Sequence, residues 1–463
     1  MHIKKNQKKK IYKMKTLFKN GTYIALFLII NLDLLSCNLL KNNLKSFTDD
    51  EEITTIYADD QFEFVDAIDQ LSKKGGTIYI DTPIINLNTK TSISITGQIP
   101  GGIIGIRQSN GEYPQIKFTH EREEVFMSGL NIFGSNKFIE YIIIENSPSY
   151  GVSVFGDNNI LDHVISRYNL LSGFNVFGNF NTFNYCYSYR NFNVNYLQIN
   201  SDGFHISGEL NNVFNYCFAW DNGNSGFNYV RLFNSSELSY LHSGSWNNGN
   251  INVFTGRYDY DNGNPLDKNL FTIQQIMEND PSFVSNYYNN KYSIDGSYMY
   301  GITVKEWISE ISPRLEGNGF TFGKGNSSQS IDVKRNALYC ASFDHKAGGF
   351  IDNFNHRYNA FITNCAAFNN GINYKLPYTF SRWSNNWSWG SKNNDQLNEG
   401  ISTNKPSNVN RGQRLLYTVR DQISQAVSAN MFPDGVNFDS AILENPRIIK
   451  KIPELSSKFK NYI

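Results

Sequence analysis

The chain has 463 residues, long enough for one large elongated domain or two to three compact ones. With 40% hydrophobic and 15% aromatic residues it has the material for a packed core, which excludes wholesale disorder. Its formal charge is zero, but residues 1–36 carry eight lysines and one acid, Asp33, leaving 34 basic against 41 acidic side chains in the remainder. A mildly acidic body has no field to gather polyanions, so nucleic acid is not an expected partner, and an acidic polysaccharide needs a local positive feature such as a bound cation.

In chain order, the first element is an export signal. A lysine-rich start leads into a short apolar run, Tyr23 to Leu35, the pattern of a secretory leader. The run ends in Leu34-Leu35-Ser36-Cys37, which resembles the bacterial lipobox, whose cysteine receives the lipid. Residues 1–36 are therefore expected to be a signal peptide, with Cys37 the lipidated first residue of an exported, membrane-anchored lipoprotein at the cell surface or in the periplasm. The alternative is a plain signal or short anchor; Asn31 and Asp33 interrupt the run, which is short for a spanning helix. Residues 37–60 read as a polar tether. Apolar residues at helical spacing then predict a capping helix over 61–73, followed by a first strand from Gly75-Gly76 to Ile80.

Internal repetition decides the architecture of residues 61–400. Gly151-Val-Ser-Val-Phe-Gly156 is echoed at Gly173 to Gly178, and Gly-Phe recurs at Gly203-Phe204, Gly226-Phe227, Gly319-Phe320 and Gly349-Phe350. A second apolar stretch and an Asn cluster follow each. Short strands punctuated by Gly and Asn at this period predict an all-β chain, a right-handed parallel β-helix. Stacked coils pair every backbone group at about 4.7–4.9 Å, so like residues form files. Phe174, Phe204, Phe227, Phe320 and Phe350 are expected in one inward file. Cys186, Cys217, Cys340 and Cys365 share one phase of the repeat and are expected in another as buried thiols, with a Cys186–Cys217 bridge as the alternative. Asn at the bends tolerates left-handed backbone angles and can form amide ladders.

Residues 256–314 break the repeat and read as an inserted lobe beside the solenoid, with helical patterns at Thr272–Asn279 and Val304–Ile311. Residues 401–463 read as a partly helical C-terminal cap and tail, with a helix within Arg411–Met431. Trp383, Trp387 and Trp389 could offer a sugar-stacking platform, although packing of the last coils is the plainer reading.

Several segments carry a family resemblance: Ser201-Asp-Gly-Phe204, Cys217-Phe-Ala-Trp-Asp-Asn222 running into Asn224-Ser-Gly-Phe-Asn228, Gly317-Asn-Gly-Phe320, and Thr363 to Gly371. With Gly75 to Phe118, they resemble the family-nine polysaccharide lyases, calcium-dependent pectate lyases on a parallel β-helix. The likeness spans roughly Gln61 to Asn373. It implies a calcium site held by Asp202 and by the residues at Asn224, Ser225 and Asn228, where the family has aspartates. It also implies a catalytic lysine at the position occupied by Thr321, so the pattern is degenerate.

Strand alternation reaches part of the site without the family. If Phe204 and Phe227 face inward, their neighbours face out; Asp202 then lies beside Ser225, and His205 beside Asn228, in a shallow trough of oxygen-bearing groups. Asp202 alternatively serves as a bend residue satisfying backbone amides. Ca²⁺ takes six to eight oxygens and weakens as charged ligands are lost. β-Elimination on a uronate requires a neutralised carboxyl and a base for the C5 proton. Thr321 is no base; Lys324, in the next bend, and His205 are the titratable candidates, each with an ordinary reading as a solvated side chain. The expected function is a pectate-lyase-like lipoprotein acting, now or formerly, on a uronate polysaccharide such as pectate with calcium, as a monomer. The alternatives are a non-catalytic glycan-binding or adhesive β-helix and another uronate-active β-helix enzyme such as an epimerase.

Overall fold

The computed structural model describes residues 55–404, except 59, 89–92, 110, 120–128, 170, 192–200, 209, 231–236, 250–253, 256–270, 273–316, 324–333, 353–358, 378–379 and 398–401. The expected signal peptide, Cys37, most of the tether, Lys324, the Val304–Ile311 helix and all of the C-terminal segment beyond Asn404 lie outside the described residues.

Within them the chain winds through three long parallel sheets of eleven, ten and ten strands. The first sheet runs from Thr55–Tyr57 to Phe380–Ser384, the second from Ile93–Ile95 to Gln396–Leu397, and the third from Ile84–Leu87 to Trp387–Trp389. Most strands have three to five residues, and each bonds to the equivalent strand one coil above and below. No coil buries its apolar side alone, so stability is shared between neighbouring coils.

The predicted files form. Val152 registers with Phe174, Phe174 with Phe204, Phe204 with Phe227, Phe227 with Phe320, and Phe320 with Phe350. The Phe204 and Phe227 rings stack 4.7 Å apart, as do Phe174 with Phe204 and Phe227 with Phe320. Cys186, Cys217, Cys340 and Cys365 are free, buried thiols, each hydrogen-bonded to carbonyl oxygens of its own coil and the preceding one. Ser243 stands in the same file, its hydroxyl donating to Phe214 O and Leu241 O. Burial pushes the Cys186 and Cys340 thiols well up from their ordinary range.

An amide ladder lines one bend. Asn169 Nδ2 donates to Asn191 Oδ1, Asn191 to Asn222, and Asn222 to Asn248, at 2.9–3.0 Å. Each Oδ1 also accepts the backbone N–H of the coil below. His345 occupies the next rung. Its Nδ1 accepts Asn248 N–H at 3.3 Å and its Nε2 lies 3.0 Å from Ser245 O, so the neutral Nε2–H tautomer copies the acceptor and donor of an amide. A second bend holds rings at positive φ, among them Tyr141, His163, Tyr185, Tyr216, His242 and Tyr339, with centroids 4.7–5.0 Å apart. Their faces are taken by one another, so this file offers no sugar platform.

The capping helix is Gln61–Lys74, one residue longer than expected, with Asp60 accepting from Phe62 N and Glu63 N. Phe64, Ala67, Ile68 and Leu71 face the end of the core. On the outward face of the third sheet one file reads Glu145, Arg167, Tyr189, Trp220, Trp246, Phe343, Phe368 and Trp389. Arg167 is paired with Glu145, and the rings beyond it stack at 4.5–5.5 Å. Trp387 and Trp389 are buried there, and Trp383 donates its Nε1–H to Ser402 O. The tryptophans therefore pack the last coils.

The inserted segment leaves and returns at one point. A Cβ on Gly249 would meet Gly317 Cα at 2.1 Å, and both glycines have positive φ, so the chain between them departs from a single bend. Phe254–Thr255 and Phe271–Thr272 pair antiparallel. Thr272, expected at the start of a helix, is thus in a strand, because the Phe-Thr pairs favour extended backbone; residues 273–279 lie outside the described residues.

Candidate functional site

The second sheet positions the candidate residues. Its strands alternate an apolar inward residue with a polar outward one, and the outward file reads Ser94, Asn131, Ser153, Asn175, His205, Asn228, Thr321, Ile351 and Lys375. Asp202 sits at the bend entering the His205 strand, and Ser225 at the equivalent bend one coil on.

Asp202 is the centre of the cluster. Its carboxylate is wholly buried. Oδ1 accepts the Ser225 N–H at 3.0 Å, and Oδ2 accepts Asn228 Nδ2 at 3.0 Å and lies 2.9 Å from His205 Nδ1. Asn228 then passes the chain on: its Oδ1 accepts the Thr321 hydroxyl at 2.8 Å, while Thr321 Oγ1 accepts Tyr229 N–H at 3.1 Å. Two unused oxygens flank the group. Ser225 Oγ and Asn175 Oδ1 are buried without a hydrogen-bond partner, and the Tyr150 ring lies 6.5 Å from the imidazole, centroid to centroid.

The predicted adjacencies hold: His205 registers with Asn228, and Asp202 meets Ser225 through the Ser225 N–H. The open trough does not. Asp202, Ser225 and Thr321 have no exposed surface, and His205 and Asn228 are 8% exposed. Outward orientation fixed by alternation says which way a side chain points, not whether other chain covers it. Asn224 bonds Ser201 O through its backbone N–H, and its side chain is not among the groups hydrogen-bonded to the Asp202 carboxylate. Lys324 lies outside the described residues.

The Asp202–His205 contact itself escaped the sequence reading. The signal was present as Asp-x-x-His, a bend residue three positions before an outward strand residue. Because Asp202 accepts the Nδ1 proton, it selects the tautomer that leaves Nε2 with a lone pair. No described residue hydrogen-bonds Nε2, and about a tenth of the imidazole remains open, 10%.

The residues present do not fit a calcium ion. Ca²⁺ needs six to eight oxygens with several charges. Among the described residues of the cluster Asp202 is the one carboxylate, and three hydrogen donors already point at its oxygens from Ser225, Asn228 and His205. Asn228 Oδ1 is taken by Thr321. Ser225 Oγ and Asn175 Oδ1 are uncommitted, and neither carries charge. Among the described residues no group of three or more His, Cys, Asp or Glu side chains is arranged to hold a metal.

Comparison with known proteins agrees with the fold. Residues 48–266 match the model of a Pel9A-like right-handed β-helix region. The solved structure of a pectate lyase, Pel9A, is similar with a TM-score of 0.51 at 15% identity, over 78% of this chain and 81% of that one. A rhamnogalacturonan lyase structure aligns with a TM-score of 0.44 at 14% identity, over 71% of this chain and 78% of that one. At 15% identity the likeness to the pectate lyase structure speaks for the fold alone. No curated protein sequence matches the chain.

Proposed function

We propose, from the premise that residues 48–266 match the model of a Pel9A-like right-handed β-helix region, that this protein cleaves a uronate-containing polysaccharide by β-elimination on the outward face of its second sheet. The observation that carries the reading is the Asp202–His205 pair, a buried acceptor holding an imidazole with its other nitrogen uncommitted. This is the arrangement by which proteins orient a general base. His205 Nε2 removes the C5 proton, the C4–O bond to the next sugar breaks, a C4–C5 double bond forms, and water protonates the departing oxygen.

The test is direct. Full-length protein is incubated with a panel of uronate polymers and the ultraviolet absorbance of unsaturated ends is followed. Product with at least one polymer is expected; none with any, at several pH values, overturns the reading. A second reading is a non-catalytic glycan-binding β-helix, favoured by the full burial of Asp202 and Thr321. Retention on an immobilised polymer without product supports it.

The N-terminal pattern supports attachment to a membrane through lipid on Cys37 after removal of residues 1–36. Labelled fatty acid incorporated in cells by the native chain, and lost in Cys37→Ala, is the expected result.

A further inference from the structure

The elimination chemistry and the charge of the cluster together constrain the substrate. A C5 proton becomes removable only when the adjacent carboxyl is neutralised, because a free carboxylate resists a second negative charge beside it. The neutralising agent can be a cation, a cationic side chain or a covalent ester. Three donors occupy the Asp202 oxygens where a cation would sit. Among the described residues no lysine or arginine is hydrogen-bonded or ion-paired to Asp202, His205, Asn228 or Thr321. Asp202 itself places an acidic group directly behind the imidazole. A free uronate carboxylate brought to His205 Nε2 would face that acid without compensation, whereas an ester would not.

Two further features match an uncharged group. Ser225 Oγ and Asn175 Oδ1 are buried and unpartnered on the coils on either side of the His205 strand. A buried polar atom left without a partner is costly, and neither atom is neutralised by a charged neighbour. Both are neutral, so neither supplies the positive charge that a free carboxylate would need beside Asp202.

We infer that the site works without a metal, with His205 as the base and Asp202 as its positioning residue, and that it takes a uronate polymer whose carboxyls are esterified. The inference rests on the elimination reading above and deepens it. Atoms balance without a co-reactant: the C5 proton goes to Nε2, the electron pair forms the C4–C5 double bond, the departing oxygen takes a proton from water, and the hydroxide so formed recovers the proton held at Nε2.

The experiment compares highly methyl-esterified polygalacturonate with the de-esterified polymer, each with a chelator or with added calcium, using full-length protein and the absorbance of unsaturated ends. Expected is product from the esterified polymer, undiminished by chelator, with little from the free acid. His205→Ala is expected to lower kcat by about 10²–10⁴-fold. Asp202→Asn keeps an oxygen for the Ser225 N–H but no longer favours the right tautomer; a fall in kcat with KM held is expected. A thermal unfolding midpoint matching the native chain certifies each variant, and His205→Gln replaces His205→Ala if that variant fails to fold. Cleavage that requires calcium, that prefers the free acid, or that survives loss of the imidazole overturns this inference and leaves elimination standing. Absence of product from both polymers overturns both.

Discussion

At the scale of the residue, His345 shows how chemistry can substitute for identity. The ladder elsewhere uses asparagine, and the imidazole fits only because its neutral form presents an acceptor and a donor on opposite edges. Burial lowers its pKa from 6.5 to about 3, so the folded protein refuses a proton that the unfolded chain binds. The stability this neutral ring supports is complete above pH 6.5 and is lost as pH falls from there toward 3. His242, lowered to about 4 by burial, acts in the same direction. His345→Asn is therefore expected to flatten the fall in denaturation midpoint between pH 6.5 and pH 4 relative to the native chain, with equal or higher stability at the acid end. An unchanged pH slope counts against the mimicry. The substitution was legible in the sequence only as a phase: Ser166-x-x-Asn169, Ser188-x-x-Asn191 and Ser245-x-x-Asn248 place Ser342-x-x-His345 on the same rung. What the phase does not convey is which tautomer the rung imposes, since that depends on the partners above and below.

At the scale of the element, caps and ladders differ in how much they hold. Asp60 caps the helix Gln61–Lys74 in an exposed position, where Asp→Ala costs about 1 kcal/mol. Asn191 lies inside the stack, and its removal strands the buried Asn169 N–H as well as the Asn169 and Asn222 side-chain partners. At about 1–3 kcal/mol for a buried donor left unmade, Asn191→Ala is expected to destabilise more than Asp60→Ala by chemical denaturation. Equal losses would mean the ladder is decoration. The helix was readable because its apolar spacing and the Gly75-Gly76 that follows it agree. The face of the second sheet was only half readable. Period-two alternation correctly put His205 beside Asn228, but Asp202 reaching His205 across its own bend is a three-dimensional contact.

At the scale of the whole molecule, the repeat made the fold legible and the departures from it hid the site. Gly-Phe and Tyr-Cys phases suffice to stack coils, since any other register would break every file at once. The same logic predicts inert thiols. Cys186, Cys217, Cys340 and Cys365 are buried and unpaired, and Cys186 and Cys340 are also held protonated by burial. A thiol reagent applied to the Cys37→Ala chain is expected to find no reactive sulfur before denaturation and four after it, with no reductant needed. Fast labelling of the native chain would contradict the inward file. The candidate-site residues carry no such redundancy: His205 and Thr321 each occur once in the outward file, and their meaning comes from the hydrogen bonds around them rather than from any period.

The two glycines that touch where the inserted segment departs have an evolutionary corollary. A side branch whose root is a single point can lengthen, shorten or be exchanged for foreign sequence while Phe227 still finds Phe320 and Gly244 still finds Ala341. The trunk would then supply a constant scaffold and the branch a replaceable attachment, so descendants of one such molecule can diversify at that root without renegotiating their core.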